Sequence, residues 1–349
     1  MSTGATTDAL VAAIKRLAQH DSLSGEEIGA AFDVVMAGNA SPVQVAALLM
    51  ALRVKGERPD EVAGVARALR RAMIALPSDA PEMLVDTCGT GGGSVTTFNI
   101  STAAALLAAG AGVRIAKHGN RSFTSRSGSA DVLEALGVKI DLTPAAMQAV
   151  LAEAGIVFMF APLMHPAMKH VGPVRRELGV PTVMNIVGPL ANPARAGRQV
   201  VGVAEPHRVE LIAGALAALE ATHALVVHGA PGMDEVSPLG PTTVVELRAG
   251  APTTRWTIDP AWAGEEGVEA SHLGGGSPEE NALMIEAVLQ GRGQPGARAA
   301  VVLNAAAAIY VAGKELDFRS AVARARAALD AGAGAVTLQE LRRATTAAR

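Results

Sequence analysis

The chain has 349 residues; half are apolar, 18% are charged, and the formal charge is −3. This composition excludes intrinsic disorder, and the small negative charge excludes a global attraction to nucleic acid or to anionic membrane surfaces. One large domain or two ordinary ones fit this length. A single cysteine, Cys88, leaves no intramolecular disulfide framework and points to a reducing compartment. Aromatic residues make up only 3%, too few for stacking platforms for single-stranded nucleic acid. The N-terminus lacks a basic, then apolar, then small-residue leader pattern, and the alanine-rich runs 103–109 and 305–308 are too short to span a bilayer. These features lead us to expect a soluble, cytoplasmic protein with no nucleic-acid and no membrane partner, whose anion binding, if any, is local.

The first 75 or so residues read as helices only. Leu10, Val11, Ile14 and Leu17 repeat at helical spacing. Ser24 with Glu27 and Ser41-Pro42 with Gln44 mark two capped starts, and a fourth helix begins near Pro59 with Val62, Val65, Ala66 and Leu69 on one face. Pro77 and Pro81 break the pattern and set a boundary. Beyond it, apolar runs alternate with helical stretches. Strands are expected at 83–86, 113–117, 156–160, 199–204 and 224–228, and helices at 101–109, 130–136, 144–153 and 206–219. Residues 165–179 interrupt the alternation with short, proline-broken pieces, which are expected to leave the sheet domain and join the N-terminal helices. Helices near 278–289, 297–311 and 318–331 close the chain, the first capped by Ser277 and Glu280.

Four polar clusters follow predicted strands. These are the turn Gly89-Thr90-Gly91-Gly92-Gly93, the basic stretch Lys117–Ser129, the segment 162–175, and the loop from His228 to Ser237. Ligands in open α/β sheets bind at the carboxyl ends of strands, so four such clusters at one rim point to an active site. Four glycines in five positions permit close backbone approach to a phosphate. A dinucleotide fingerprint is disfavoured because Ser94 replaces the third glycine, and no Gly-Lys-Ser/Thr closes the turn as in a P-loop. Ser101 reads either as a helix cap or as a contact to phosphate or metal. Lys117, Arg121 and Arg126 lie among Ser122, Thr124, Ser125, Ser127 and Ser129, a donor-rich stretch suited to phosphate, with mobile positive charge on Lys117 and Arg121. His118 is either a buried structural histidine or a donor to substrate or leaving group. Asp234-Glu235 is either exposed charge or an oxygen ligand pair for Mg²⁺. Of Arg175 and Arg176, one suits a structural ion pair and the other a bidentate grip on a substrate carboxylate. Cys88 reads as a small buried residue rather than a nucleophile.

In family order, these motifs resemble anthranilate phosphoribosyltransferase over essentially the whole chain. The resemblance rests on Asp86-x-x-Gly-Thr-Gly-Gly, Asn99-Ile100-Ser101-Thr102, Lys117-His118-Gly119-Asn120-Arg121-Ser122 and Ser127-Gly128-Ser129-Ala130-Asp131. It continues through Phe160-Ala161-Pro162, His165-Pro166-Ala167-Met168-Lys169, Pro173-Val174-Arg175, Asn185, Gly188-Pro189-Leu190-x-Asn192-Pro193, His228-Gly229 and Asp234-Glu235-x-Ser237. It implies the second step of tryptophan biosynthesis. Anthranilate and 5-phosphoribosyl 1-pyrophosphate (PRPP) give N-(5-phosphoribosyl)anthranilate and pyrophosphate, with Mg²⁺. The implied fold is a small all-helical domain, residues 1–75 completed by about 163–188, and a larger α/β domain, residues 76–162 and 189–349, with a mostly parallel central sheet. A homodimer through the helical part is also implied.

The resemblance places PRPP on Gly89, Gly92, Gly93, Thr97, Asn99, Ile100, Ser101, Thr102, Lys117, His118, Gly119, Asn120, Arg121, Ser122, Phe123, Thr124, Ser125 and Ser129. Anthranilate falls to Gly89, Asn120, His165 and Arg175, metal to Ser101, Asp234 and Glu235, and catalytic roles to His118 and Arg175. The family usually has an acid where this chain has Gly93. Two rivals are a pyrimidine-nucleoside phosphorylase of the same architecture and a non-catalytic nucleic-acid-binding relative. The Pro173-Val174-Arg175 and Asn185…Asn192 motifs do not suit the first, and the net acidity does not suit the second.

Overall fold

The computed structural model describes residues 3–122 and 126–348. The chain opens with four helices, α1 (Thr3–Ala18), α2 (Gly25–Met36), α3 (Pro42–Lys55) and α4 (Pro59–Ala72). Their starts are written in the sequence. The Ser24 hydroxyl accepts the Glu27 amide N–H while the Glu27 carboxylate accepts that of Ser24, and Ser41 and Gln44 repeat the exchange. At α4 the buried Glu61 accepts the N–H groups of Arg58 and Leu23 and pairs with Lys55 at 2.7 Å, which satisfies a carboxylate with no access to water.

Then follow β1 (Val85–Gly89), α5 (Ile100–Gly110), β2 (Ile115–Gly119), α6 (Ser129–Ala135), α7 (Pro144–Ala154) and β3 (Ile156–Phe160). Two short helices, α8 (Ala161–Met164) and α9 (Gly172–Leu178), precede β4 (Arg198–Gly202), α10 (Val209–Ala218) and β5 (His223–Gly229). The chain ends with β6 (Thr242–Arg248), β7 (Thr254–Ile258), α11 (Pro278–Leu289), α12 (Pro295–Val311), α13 (Phe318–Asp330) and α14 (Ala333–Ala347). The sheet order is β3-β2-β1-β4-β5-β6-β7, parallel through β5 and antiparallel for the last two pairings. Strand order reverses at β1, whose neighbours are β2 and β4, and such a switch point is where open α/β sheets bind ligands.

The structure corrects the sequence reading in several places. Residues 81–83 form a 3-10 turn, because Pro81 cannot join a ladder, and β1 runs on to Gly89 through parallel pairing with β4. The antiparallel pair β6–β7 and helix α14 carry no clear signal in the sequence. Arg255, Trp256 and Thr257 on the edge strand β7 give no clean apolar alternation, and α14 carries many polar residues.

Contacts divide the chain into two compact units. One gathers 3–75, Pro162–Pro193 and Glu210–Glu220, so α10, which connects β4 to β5, groups with the helices. Within that unit, Arg67 donates to the Ala218 carbonyl. The other unit holds Leu76–Ala161, Ala194–Val209 and 221–348. Its core is built around α5 and α12, whose alanine runs 103–105 and 305–308 are fully buried and bring the two helices into contact. Among the described residues no helix is long and apolar enough to cross a membrane.

Candidate active site

Every loop at the carboxyl ends of β1, β2 and β5 is polar, and the α/β unit brings these loops together. After β1, Gly91 and Gly92 have φ of +71° and +81°, a left-handed backbone that side chains rarely adopt. The turn is tied to the loop after β5. The Gly91 N–H donates to Asp234 Oδ2 at 2.8 Å, the Ser94 N–H to the Gly232 carbonyl at 2.9 Å and the Ser94 hydroxyl to the Pro231 carbonyl at 2.9 Å. Asp234 and Glu235 therefore stand beside the glycine turn rather than in open solvent.

Thr87, Cys88, Ser101, Asp234 and Glu235 line one small, partly open void. Burial pushes the Asp234 carboxyl up, against the Gly91 amide, which holds it down. Burial and the adjacent Asp234 charge push Glu235 well up, opposed by Lys117 and a hydrogen bond from Thr97. Lys117, 3% exposed on β2, donates to the Thr87 carbonyl at 2.5 Å and to Ser101 Oγ at 3.3 Å, and desolvation lowers its ammonium against Asp86, Cys88 and Glu235. It is a fixed buried charge, not the mobile one expected. The Cys88 thiol is pushed well up by burial and stays protonated and inert.

A second cluster surrounds the start of α5. Asn99 donates to the Ser127 carbonyl at 3.1 Å and accepts from the Ser127 hydroxyl at 3.1 Å and from Asn281 Nδ2 at 2.9 Å. Asn281, 2% exposed on α11, was missed by the sequence reading; the only available signal was an amide on an otherwise apolar helix face. Ile100 and Thr102 are buried in the first turn of α5, and the Thr102 hydroxyl has no partner among the described residues. The Ile100 N–H donates to the Phe98 carbonyl at 2.7 Å and the Thr102 N–H to that of Asn99 at 3.1 Å, while the helix start keeps the positive dipole end that favours an anion.

After β2, the His118 N–H donates to Asp86 Oδ1 at 3.1 Å, and the Ser129 hydroxyl to the Asn120 carbonyl at 3.3 Å beside Gly119. Asp131 takes the N–H groups of Ser122 and Gly128 at 3.1 and 2.8 Å and so shapes both flanks of this loop. Arg121 departs from expectation. Its guanidinium, 46% exposed, pairs with Asp131 and Glu134 on α6, and those acids raise its pKa further. The stretch 117–129 contains no acid, but the helix that follows supplies two. Phe123, Thr124 and Ser125 lie outside the described residues.

In the helical unit, Arg175 lies on α9, and its closest polar partner is Asn185 Oδ1 at 3.5 Å. Burial lowers its pKa, and among the described residues no carboxylate pairs with Arg175 or Arg176, so the expected structural ion pair is not formed. His165, 8% exposed, precedes the 3-10 turn 166–170; burial lowers its imidazole to about 4, against a hydrogen bond with the Ala191 backbone, so it is neutral at pH 7.

Asp234, Glu235 and the Ser101 hydroxyl form an oxygen-only set, and among the described residues no group of three or more His, Cys, Asp or Glu side chains is gathered to hold a metal. Two desolvated carboxylates fit Mg²⁺, which is usually held by one or two carboxylates together with substrate phosphates and water. Oxygen ligands alone do not suit zinc, whose protein sites are built mainly on histidine nitrogen and cysteine sulfur.

Residues 81–335 match the model of the a/b domain of a glycosyl transferase family, and residues 11–73 match its helical bundle domain. Anthranilate phosphoribosyltransferase of Thermomicrobium roseum is 50% identical over 319 residues, 91% of each chain. The solved anthranilate phosphoribosyltransferase of Thermus thermophilus superposes with a TM-score of 0.90 at 43% identity, covering 96% of this chain and 99% of that one. The Saccharomyces cerevisiae enzyme in complex with PRPP and Mg superposes with a TM-score of 0.87 at 27% identity, covering 97% and 98%. With half its residues shared with a relative across nine-tenths of both chains, this chain belongs to the anthranilate phosphoribosyltransferase family.

Proposed function

We propose that this chain transfers the 5-phosphoribosyl group of PRPP to the amine of anthranilate and releases pyrophosphate, the second step of tryptophan biosynthesis. The observation that carries the reading is the tie between the glycine turn and the desolvated acids Asp234 and Glu235, with Lys117 and Ser101 beneath them. With the Thr90, Gly91 and Ser94 amides engaged inside the protein, that arrangement offers the Gly92 and Gly93 amides and a buried ammonium to phosphate oxygens, and carboxylates to a cation that accompanies them.

Anthranilate's amine is a weak nucleophile, so the reaction depends on departure of the leaving group. The bond from the ribosyl carbon to the pyrophosphate oxygen breaks with its electron pair on oxygen, the amine nitrogen bonds that carbon, and the amine's proton passes to the departing pyrophosphate or to water. The Gly92 and Gly93 amides of the glycine turn stabilise the charge that grows on pyrophosphate. His118, beside them at the end of β2, is a further donor to the leaving group. Mg²⁺, when bound to Asp234, Glu235 and Ser101, supplies charge neutralisation for the pyrophosphate oxygens. The start of α5, with Asn99, Ser101 and Thr102, holds the remaining phosphate of PRPP. Arg175 grips the anthranilate carboxylate and orients the amine, and the neutral His165 lines the same pocket without a charge competing for that carboxylate. Catalysis is then positioning plus leaving-group stabilisation.

A cytoplasmic homodimer completes the reading. Helix α3 supports it, because Val43 and Val54 are 77% and 68% exposed on the side away from its buried Leu48, Leu49 and Leu52. Mixing the protein with anthranilate, PRPP and Mg²⁺ tests the activity. Anthranilate fluorescence falls if the reading is right. Persistent fluorescence, together with cleavage of a pyrimidine nucleoside by phosphate, replaces it with the phosphorylase.

A further inference from the structure

Helix α12 is buried along its length, and from Ala299 to Val311 it is apolar except for Asn304 and the Tyr310 hydroxyl. A buried amide in such a setting is destabilising unless each of its polar atoms finds a partner. Asn304, 6% exposed, finds them mainly outside its own helix. Its Oδ1 accepts the Val236 N–H at 2.9 Å, and its Nδ2 donates to the Val236 carbonyl at 2.8 Å and to the Ala300 carbonyl at 2.9 Å. One side chain thus grips both backbone groups of the residue that follows Glu235, as a neighbouring strand would.

The chain at this point has no slack on its other side. A Cβ on Gly202 would lie 1.6 Å from the Asp234 carbonyl oxygen, and one on Gly229 would lie 2.4 Å from that of Glu235. The acidic pair is pressed against β4 and β5 through bare backbone, and Asn304 holds it from beneath. Asn304 also lines the void shared by Ser101, Asp234 and Glu235.

We propose that Asn304 is the positioning residue of the acidic pair: by fixing the Val236 backbone it aims Asp234 and Glu235 into the PRPP–Mg²⁺ site before any ligand arrives. The proposal rests on the reading of those acids given above. It predicts a loss confined to one substrate. Asn304→Ala weakens calorimetric binding of PRPP in Mg²⁺ by about ten- to a hundredfold, the range seen when a group orienting a metal ligand is removed. Binding of anthranilate stays at the parental value.

Leu303→Ala, a fully buried neighbour on the same helix with no hydrogen bond to the loop, is the control for lost stability. It lowers the melting temperature at least as far but leaves PRPP affinity within about twofold. Asn304→Asp keeps the acceptor for the Val236 N–H and loses the donor to its carbonyl; it gives an intermediate loss and serves if the alanine variant does not fold. Added to Asp234→Asn with Glu235→Gln, Asn304→Ala causes no further loss of PRPP affinity, because its effect runs through those two side chains. Parental PRPP affinity in both Asn304 variants overturns the proposal, and so does an equal loss in Leu303→Ala. Failure of the parent protein to bind PRPP in Mg²⁺ overturns instead the reading of the site on which it rests.

Discussion

Gly93 lies close against the acidic pair. A Cβ there would lie 3.2 Å from the Gly232 carbonyl oxygen and 3.3 Å from Asp234 Oδ1, so a side chain needs these neighbours to give by a few tenths of an ångström, and an acid there brings a third carboxylate beside Asp234. Alone, three carboxylates repel one another and the phosphates; with a divalent cation among them, the third adds a ligand. Gly93→Asp is therefore expected to tighten PRPP binding about tenfold in Mg²⁺ and to weaken it when Mg²⁺ is chelated. Calorimetry under both conditions checks this, and unchanged or weaker binding in Mg²⁺ contradicts it. The residue scale is also where the sequence was least legible. Arg121 and Lys117 look alike in a basic loop, but one is drawn off by Asp131 and Glu134 and the other is buried under Thr87 and Ser101. A one-dimensional pattern does not show which charge has a neighbour.

At the scale of elements, the antiparallel extension is locked to the helices by a polar core. Glu246 on β6 meets His223 Nε2 at 2.9 Å, Arg248 Nε at 2.7 Å, Trp256 Nε1 at 2.8 Å and the Tyr310 hydroxyl at 3.1 Å, and Trp256 stacks edge-on to Tyr310 and Phe318. Burial raises the Glu246 carboxyl, but the hydrogen bonds from His223, Arg248 and Trp256 outweigh it and hold the group down at about 2. A carboxylate so depressed stabilises the fold above its ordinary pKa of 4.5, and that contribution is lost as pH falls through about 2. Glu246→Gln should cost about 1–3 kcal/mol at neutral pH. Urea midpoints should show a constant gap from pH 8 to 5 that narrows below 4.5; a gap that widens on acidification contradicts the assignment. Capping boxes made α2, α3 and α11 legible, and apolar runs made β3 and β5 legible. Strands β6 and β7 were not, because their identity lies in this cross-strand network rather than in alternation along the chain.

At the scale of the molecule, the glycine turn, the start of α5 and the acidic pair belong to the α/β unit, while Arg175 and His165 belong to the helical unit. This division was legible because Pro77 and Pro81 end the first helices and residues 165–179 break the alternation. The grouping of α10 with the helices was not, since a crossover between two parallel strands reads as part of the sheet domain. The helical unit also carries the exposed face of α3. Val43→Lys combined with Val54→Asp should convert a dimer to a monomer in sedimentation without loss of helicity, and an unchanged sedimentation coefficient removes α3 from the interface. The central claim is that the two units serve different substrates. Steady-state kinetics of Arg175→Ala tests it most directly. The KM for anthranilate should rise about ten- to a hundredfold, as expected for loss of a charge-assisted carboxylate contact, while that for PRPP stays within about threefold. Equal increases in both, or an increase for PRPP alone, would contradict it.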